Sequence, residues 1–156
     1  MVEKKVKIMK IVKGNLLDLF DKGEFDAIVH GCNCFNTMGA GIALQIKNRY
    51  PEAWEADKTT IKGHKSKLGT FTLAFCSKGI VINAYTQYRP GLNDLEENYG
   101  AIDDAMRKIS LVFEGKRVGL PLIGAGLASG DWNFIKDIIA NNLDGVVDYT
   151  IVQYEA

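Results

Sequence analysis

The apolar positions of the chain change spacing several times, and each spacing predicts a different element. In the first half, short apolar runs that end at polar residues or glycines are typical of strands, whereas apolar residues that recur every three or four positions indicate helices. Pro51 ends one helical pattern and can open the next, because proline is well tolerated at the first position of a helix. The elements predicted here are strand 6–12, strand 25–30, helix 42–50, helix 51–61, strand 70–76 and strand 79–85.

The second half of the chain carries the longest helical pattern. Apolar residues recur at spacings of three and four from Leu95 to Phe113, and Asp94 with Glu97 has the form of a capping box. The remaining predicted elements are strand 117–123, a helix over 132–143 with Asp131 as its N-cap, and strand 149–154. Strands and helices alternate over residues 1–156 without a linker or an internal repeat. This alternation predicts a single α/β domain with a mixed, mostly parallel sheet between layers of helices.

Composition narrows the classes of function. With 156 residues, of which 47% are hydrophobic, the chain is long enough for one core, and its formal net charge is zero. A neutral chain lacks the positive field that drives dedicated nucleic-acid binding or attachment to anionic membranes. Charged residues or glycines interrupt every apolar run before the eighteen or so residues that a membrane span needs. Three sparse cysteines favour reduced thiols, so we expect a cytoplasmic protein, and we expect a monomer.

Two glycine-rich segments each join a predicted strand to a predicted helix. Residues 30–43 read HGCNCFNTMGAGIA, and residues 121–132 read PLIGAGLASGDW. Glycine lets backbone N–H groups approach an anion, and a helix N-terminus adds unpaired donors and a favourable dipole, so the pair of loops can hold a diphosphate without a lysine cluster. The alternative is that these glycines only satisfy the steric needs of tight turns. Neither segment has the spacing of a dinucleotide-binding fingerprint or a P-loop, which disfavours an NAD dehydrogenase or a nucleoside triphosphatase.

Together with the sequence KGNLL at residues 13–17, these two segments resemble the macrodomain family, whose α/β modules bind ADP-ribose. HGCNC followed by MGAGIA is most similar to the yeast-type ADP-ribose 1''-phosphate phosphatase branch and to the related terminal ADP-ribose protein glycohydrolase. The resemblance implies a three-layer α/β/α fold and an enzyme that hydrolyses ADP-ribose 1''-phosphate to ADP-ribose and phosphate without a cofactor. Two alternatives stay open: a reader that binds ADP-ribose without chemistry, and a hydrolase that removes ADP-ribose from protein or nucleic acid.

The resemblance also assigns residues to parts of the ligand. It places Asn33 against the distal ribose and a histidine with a catalytic role at His30, where an imidazole that titrates near neutrality can transfer a proton. The other residues that it implies are Asn15 and Leu16 near the adenine; Gly39, Ala40, Gly41 and Ile42 along the diphosphate; and Ile123, Gly124, Ala125, Gly126 and Leu127 over the phosphates and the distal ribose.

Several of these assignments have alternatives. His30 can equally be a neutral histidine buried at a strand end, and Asp131, a second candidate acid or base, can be only a helix cap. The lysine and aspartate of the glycohydrolase branch align with Asn93 and Ala128, which favours the reader. No metal-ligand constellation is visible, so backbone N–H groups would stabilise a transferring phosphoryl group.

Other polar residues near the loops are weaker candidates. Arg89 is a candidate partner for a terminal phosphate. A thiol-based redox site at Cys32 and Cys34 is disfavoured because their spacing is not C-x-x-C. The lysines of the segment 62–67 are expected to be solvated.

Overall fold

A six-stranded sheet between two layers of helices forms the centre of the protein. The computed structural model describes residues 8–91, 94–126 and 128–155. In chain order the elements are β1 (Ile11–Gly14), α1 (Leu16–Asp21), β2 (Ala27–Asn33), α2 (Gly41–Arg49), α3 (Pro51–Lys58), a 3-10 turn (Lys65–Lys67), β3 (Phe71–Cys76), β4 (Gly79–Gln87), α4 (Leu95–Val112), β5 (Arg117–Leu120), α5 (Trp132–Leu143) and β6 (Asp148–Tyr154).

The strand order across the sheet is β1-β6-β5-β2-β4-β3. Every neighbouring pair is parallel except β3 and β4, which form an antiparallel hairpin. The predicted mixed, mostly parallel sheet within a three-layer α/β fold is therefore confirmed. Parallel strands bring their carboxyl ends to one edge of the sheet, so the loops that follow β2, β4 and β5 meet there.

Side chains on the two faces of the sheet build two separate cores. In β2, Ala27 and Val29 pack with α4 and α5, whereas Ile28 between them packs with α1, α2 and α3. Because both faces of β2 are covered, its sequence is a continuous apolar run rather than an alternation. The two cores therefore pack against the sheet from both sides. In the described part of the chain, none of the helices is long and apolar enough to cross a membrane.

The structure differs from the sequence prediction mainly at element ends. Residues 16–21 form a helix that the pattern did not predict, because six residues are too few to show a helical period. Asn15 begins this helix by accepting hydrogen bonds from the N–H groups of Leu17 and Asp18 at 3.0 and 3.1 Å. The first strand begins only at Ile11, and residues 6 and 7 of the predicted strand lie outside the described residues. The predicted strand 117–123 ends at Leu120, since Pro121 has no N–H for the ladder.

Candidate ligand-binding cleft

A cleft of about 570 Å³ opens at the carboxyl edge of the sheet, and both glycine-rich loops line it. The loop after β2 and the start of α2 form one wall, the loop after β5 forms the other, and the ends of β2 and β4 lie between them. Its lining residues are Gly31, Cys32, Asn33, Thr37, Met38, Gly39, Ala40, Gly41, Ile42, Ala43, Asp57, Thr86, Gln87, Pro90, Gly91, Pro121, Leu122, Ile123, Gly124, Gly126 and Ala128.

A second, smaller pocket of about 250 Å³ continues the cleft toward β6. The two share Ile42, Pro121 and Leu122, so they form one depression. The residues that only the smaller pocket contributes are Asn15, Leu16, Leu17, Gln45, Val152 and Tyr154. From β6 to β4 the depression crosses three strand spacings, about 14 Å at about 4.8 Å per strand. Its shape therefore suits an elongated ligand with an apolar group at the β6 end.

The N-terminus of α2 lies in the middle of this depression and leaves its first backbone N–H groups without a side-chain cap. Its N-cap, Ala40, has no side chain that could accept the first N–H groups, and the first turn contains no acidic residue. The first backbone bond of the helix runs from Leu44 N to Ala40 O at 3.3 Å. The N–H groups of residues 41–43 precede that bond, so they and the helix dipole suit a phosphate.

The loop after β5 contributes glycines rather than a helix N-terminus. Gly124 has a φ of 76°, in the left-handed region that favours glycine, and Gly130 N donates to Gly124 O at 2.8 Å to close the loop. The N-terminus of α5 is already capped, because the Asp131 carboxylate accepts from Asn133 N at 2.9 Å. Asp131 is exposed and does not line the cleft. The geometry thus fits the capping alternative, and a catalytic role for Asp131 stays a prediction.

Three further residues that were predicted to contact the ligand differ in where they lie. Asn33 lines the cleft, and its amide is engaged within the loop, donating to Thr37 Oγ1 at 2.7 Å and accepting from Phe35 N at 2.8 Å. Ala125 does not line the cleft, unlike its neighbours on either side in the loop. Leu127, like the aligned position Asn93, lies outside the described residues.

His30 lies behind the wall of the cleft rather than on it. The residue is 0% exposed, and its Nε2 is 2.6 Å from Asn83 Oδ1. Burial lowers the pKa of His30 to about 4, and the hydrogen bond to Asn83 opposes that shift only in part. A ring in this position is neutral at pH 7, and it does not line the cleft. The catalytic role assigned to His30 stays a prediction, and its alternative as a buried neutral histidine fits the geometry.

The two cysteines beside it are buried as well. Cys32 lines the cleft and Cys34 is 0% exposed, and burial raises the pKa of both thiols. Because the thiolate is the reactive form, neither environment favours redox chemistry. Among the described residues, no three His, Cys, Asp or Glu side chains come together as metal ligands.

Lys67 is one of the site residues that the sequence did not reveal. It was expected to be solvated, but only 7% of the residue is exposed. Its ammonium donates to Cys34 O at 2.9 Å and to Asn36 Oδ1 at 2.7 Å, and Asn36 has a left-handed φ of 55°. Lys67 therefore holds the loop that forms the first wall of the cleft in a strained conformation. The segment KGHKSK gives no sign that Lys67 is buried, because its partners Cys34 and Asn36 lie more than thirty residues away in the sequence.

Replacing Lys67 by methionine is expected to lower the free energy of unfolding by about 2–4 kcal/mol. The variant keeps the apolar stem but leaves the buried carbonyl of Cys34 and the amide oxygen of Asn36 without their charged donor. Urea denaturation measures the change, and Lys62→Met, at an exposed lysine of the same segment, is the control. Equal stabilities for the two variants would contradict the role given to Lys67.

The comparisons with known proteins agree on one family. A family model described as Macro domain matches residues 29–139, which include both glycine-rich loops. The chain is 34% identical to an uncharacterized 17.5 kDa protein from the tk-vs intergenic region of Enterobacteria phage T4, over 95% of this chain and 97% of the relative. Its structure is similar to the macrodomain of Thermus aquaticus DarG, with a TM-score of 0.70, 22% identity, and coverage of 96% of this chain and 99% of that one. The structural likeness shows the fold.

Two enzymes are more distant relatives. The chain is 26% identical to DNA ADP-ribosyl glycohydrolase of Mycobacterium tuberculosis, over 85% of this chain and 39% of that enzyme. A shorter stretch, 35% of this chain and 22% of the relative, is 38% identical to ADP-ribose 1''-phosphate phosphatase of Ajellomyces capsulatus. The matches thus span less than half the length of either enzyme.

Proposed function

The chain belongs to the Macro domain family, and from that premise we propose that it binds ADP-ribose and hydrolyses a bond at the distal ribose of an ADP-ribose derivative. The observation that carries this proposal is the continuous depression, in which an apolar pocket, an open helix N-terminus and a glycine-walled cleft follow one another. A nucleoside diphosphate linked to a second sugar presents its groups in the same order.

Each part of the ligand has a matching part of the site. The adenosine lies in the apolar pocket between Leu16, Val152 and Tyr154. The diphosphate accepts hydrogen bonds from the N–H groups at the start of α2. Gly41 and Ile42 are the first two residues of this helix, and both line the cleft. The distal ribose then lies between Asn33 and the glycines of the loop after β5, toward β4. Backbone donors supply the positive potential, which accounts for an anion site on a chain without net charge.

The first candidate reaction is hydrolysis of ADP-ribose 1''-phosphate to ADP-ribose and phosphate. The phosphatase relative and the loop sequence HGCNC with MGAGIA support it. The second candidate is release of ADP-ribose from DNA, which the glycohydrolase relative favours because that match extends over 85% of this chain. Both reactions place water at the same end of the cleft and yield ADP-ribose.

A titration against ADP-ribose, ADP-ribose 1''-phosphate, NAD and AMP tests the binding step. We expect ADP-ribose to bind at least about tenfold more tightly than AMP, because AMP lacks the second phosphate and the distal ribose. Equal affinities for ADP-ribose and AMP would contradict the proposal. Product analysis then separates the reactions: phosphate released from the 1''-phosphate supports the first candidate, and ADP-ribose released from modified DNA supports the second. Tight binding without either product identifies a reader.

We also propose a reducing, cytoplasmic location. The three cysteines are free thiols, as expected where disulfides do not persist. Rapid alkylation of thiols in cells, followed by mass spectrometry of the purified protein, checks this. We expect the mass to increase by three alkyl groups.

A further inference from the structure

Four side chains behind the cleft form one continuous chain of hydrogen bonds that ends at a fifth, Asp57. His30 Nε2 lies 2.6 Å from Asn83 Oδ1, and Asn83 Nδ2 donates to Thr72 Oγ1 at 3.1 Å. Thr72 Oγ1 is 3.1 Å from Tyr85 Oη, which donates to Asp57 Oδ1 at 2.7 Å. The chain therefore connects the buried histidine to a carboxyl group that lines the cleft.

Every donor in this chain points toward Asp57. A carboxylate can only accept, so the Tyr85 proton is directed at it, and the Thr72 hydroxyl must then donate to Tyr85 Oη. Asn83 uses its other N–H on a backbone carbonyl of α3 at 2.9 Å, which fixes its amide so that Oδ1 faces His30 and accepts the Nε2 proton. Aligned donors polarise one another, so the chain stabilises the carboxylate and fixes its orientation.

Asp57 lies at the end of the depression opposite the apolar pocket. It is in the last turn of α3, is 1% exposed and lines the cleft with Cys32, Thr86 and Gln87. The apolar pocket lies at β6, whereas Tyr85, which bonds Asp57, lies on β4. A ligand with its adenosine in the apolar pocket therefore directs its distal ribose toward Asp57.

Four titratable groups face the Asp57 carboxyl. Burial raises its pKa, and both the Tyr85 hydrogen bond and the Lys67 ammonium lower it. The thiols of Cys32 and Cys34 also lie close, and burial keeps them protonated. Burial has the largest effect, so the pKa of Asp57 lies above the ordinary value of an aspartate. A carboxyl with a raised pKa can both take and return a proton.

We propose that Asp57 is the acid–base catalytic residue of this site and that His30, Asn83, Thr72 and Tyr85 are the residues that position it. The inference rests on the proposed function. In the phosphatase reaction, Asp57 takes a proton from the water that attacks phosphorus. The bond between phosphorus and O1'' breaks with its electron pair on O1'', and Asp57 returns the proton to O1'', which gives ADP-ribose and phosphate. In the reaction on DNA-linked ADP-ribose, water attacks C1'' instead. Asp57 again takes the proton from this water and returns it to the oxygen or nitrogen that leaves C1''.

The isosteric variant Asp57→Asn tests this role. Its amide oxygen still accepts the Tyr85 hydrogen bond, but it cannot take a proton from water. We expect turnover of ADP-ribose 1''-phosphate or of ADP-ribosylated DNA to fall at least about 100-fold. The Kd for ADP-ribose, measured by calorimetry, is expected to stay within about threefold. Glu55→Gln, an exposed carboxyl two residues away on the same helix, is the matched control and keeps wild-type turnover.

A second variant, Tyr85→Phe, separates positioning from folding. It keeps the buried ring but removes the last donor of the chain, so the pKa of Asp57 rises. The ionised carboxyl is the active form, so activity is lost as pH falls through this pKa. The acid limb of the profile of kcat against pH is therefore expected to move to higher pH in Tyr85→Phe. A purely structural role would lower stability without moving that limb.

The outcomes of these measurements are distinct. An Asp57→Asn protein that keeps more than a third of wild-type turnover overturns the role of Asp57 and leaves the proposed function standing. An Asp57→Asn protein that loses affinity for ADP-ribose as strongly as turnover overturns the catalytic role in favour of a binding one. Wild-type protein that binds ADP-ribose but releases no product overturns both hydrolysis and the role of Asp57. Wild-type protein that does not bind ADP-ribose overturns the proposed function itself.

Discussion

The variant Gly126→Asp is expected to fold normally and to lose at least about 100-fold in affinity for ADP-ribose. Gly126 lines the cleft and is exposed, and a Cβ built there meets no atom within 4 Å. The added carboxylate would lie on the wall that faces the diphosphate in the proposed binding mode. Two unit charges about 5 Å apart repel by about 3 kcal/mol at an effective dielectric constant of about 20, which corresponds to about two decades in Kd.

Gly100→Asp is the matched control for this experiment. Gly100 is an exposed glycine of α4, it does not line the cleft, and a Cβ there also meets nothing within 4 Å. Both variants add one negative charge to the chain, so a general electrostatic effect would weaken binding equally in the two. Calorimetric titration with ADP-ribose gives the affinities, and thermal unfolding checks that both proteins fold. Retention of wild-type affinity by Gly126→Asp would show that the diphosphate does not lie between the two loops.

The fold was predictable wherever local spacing decides the structure. The spacing of α4 and its Asp94 cap led directly to the observed helix, because the apolar stripe and the cap act within a few residues. Helix α1 escaped prediction since six residues show no period, although Asn15 is a good N-cap. The segment KGNLL, which contains this cap and the first two residues of the helix, carried a signal only through its resemblance to a family.

The sequence predicted the two backbone loops of the candidate site, but it did not predict the buried side chains of Lys67 and Asp57. Glycines at strand-to-helix junctions signal loops that approach a ligand, and the structure does bring both loops to one cleft. Lys67 and Asp57 gave no such signal, because an isolated lysine or aspartate in a polar segment is most often solvated. Lys67 contacts Asn36 and Asp57 contacts Tyr85, and each partner lies about thirty residues away in the sequence. Local patterns do not reveal contacts of that length.

Acidification is expected to destabilise the protein specifically through His30, by about 3 kcal/mol between pH 6.5 and pH 4. In the unfolded chain an exposed histidine binds its proton near pH 6.5, whereas burial holds the pKa of His30 in the folded protein to about 4. The unfolded state therefore binds more protons in this interval, so the free energy of unfolding falls as pH decreases. At 1.36 kcal/mol per pH unit, the interval corresponds to about 3 kcal/mol, and the contribution is complete below pH 4.

The difference between wild type and His30→Gln isolates this contribution from the carboxyl groups that titrate in the same range. Glutamine keeps an N–H that can donate to Asn83 but does not titrate, so the stability of the variant should decline less steeply below pH 6.5. Urea denaturation at several pH values gives both curves, and His64→Gln, at an exposed histidine, should follow wild type. Parallel curves for wild type and His30→Gln would mean that the ring is protonated in the folded protein at pH 5. A charged His30 could not be the neutral donor at the start of the chain that ends at Asp57, because its second proton would demand an acceptor in the buried wall.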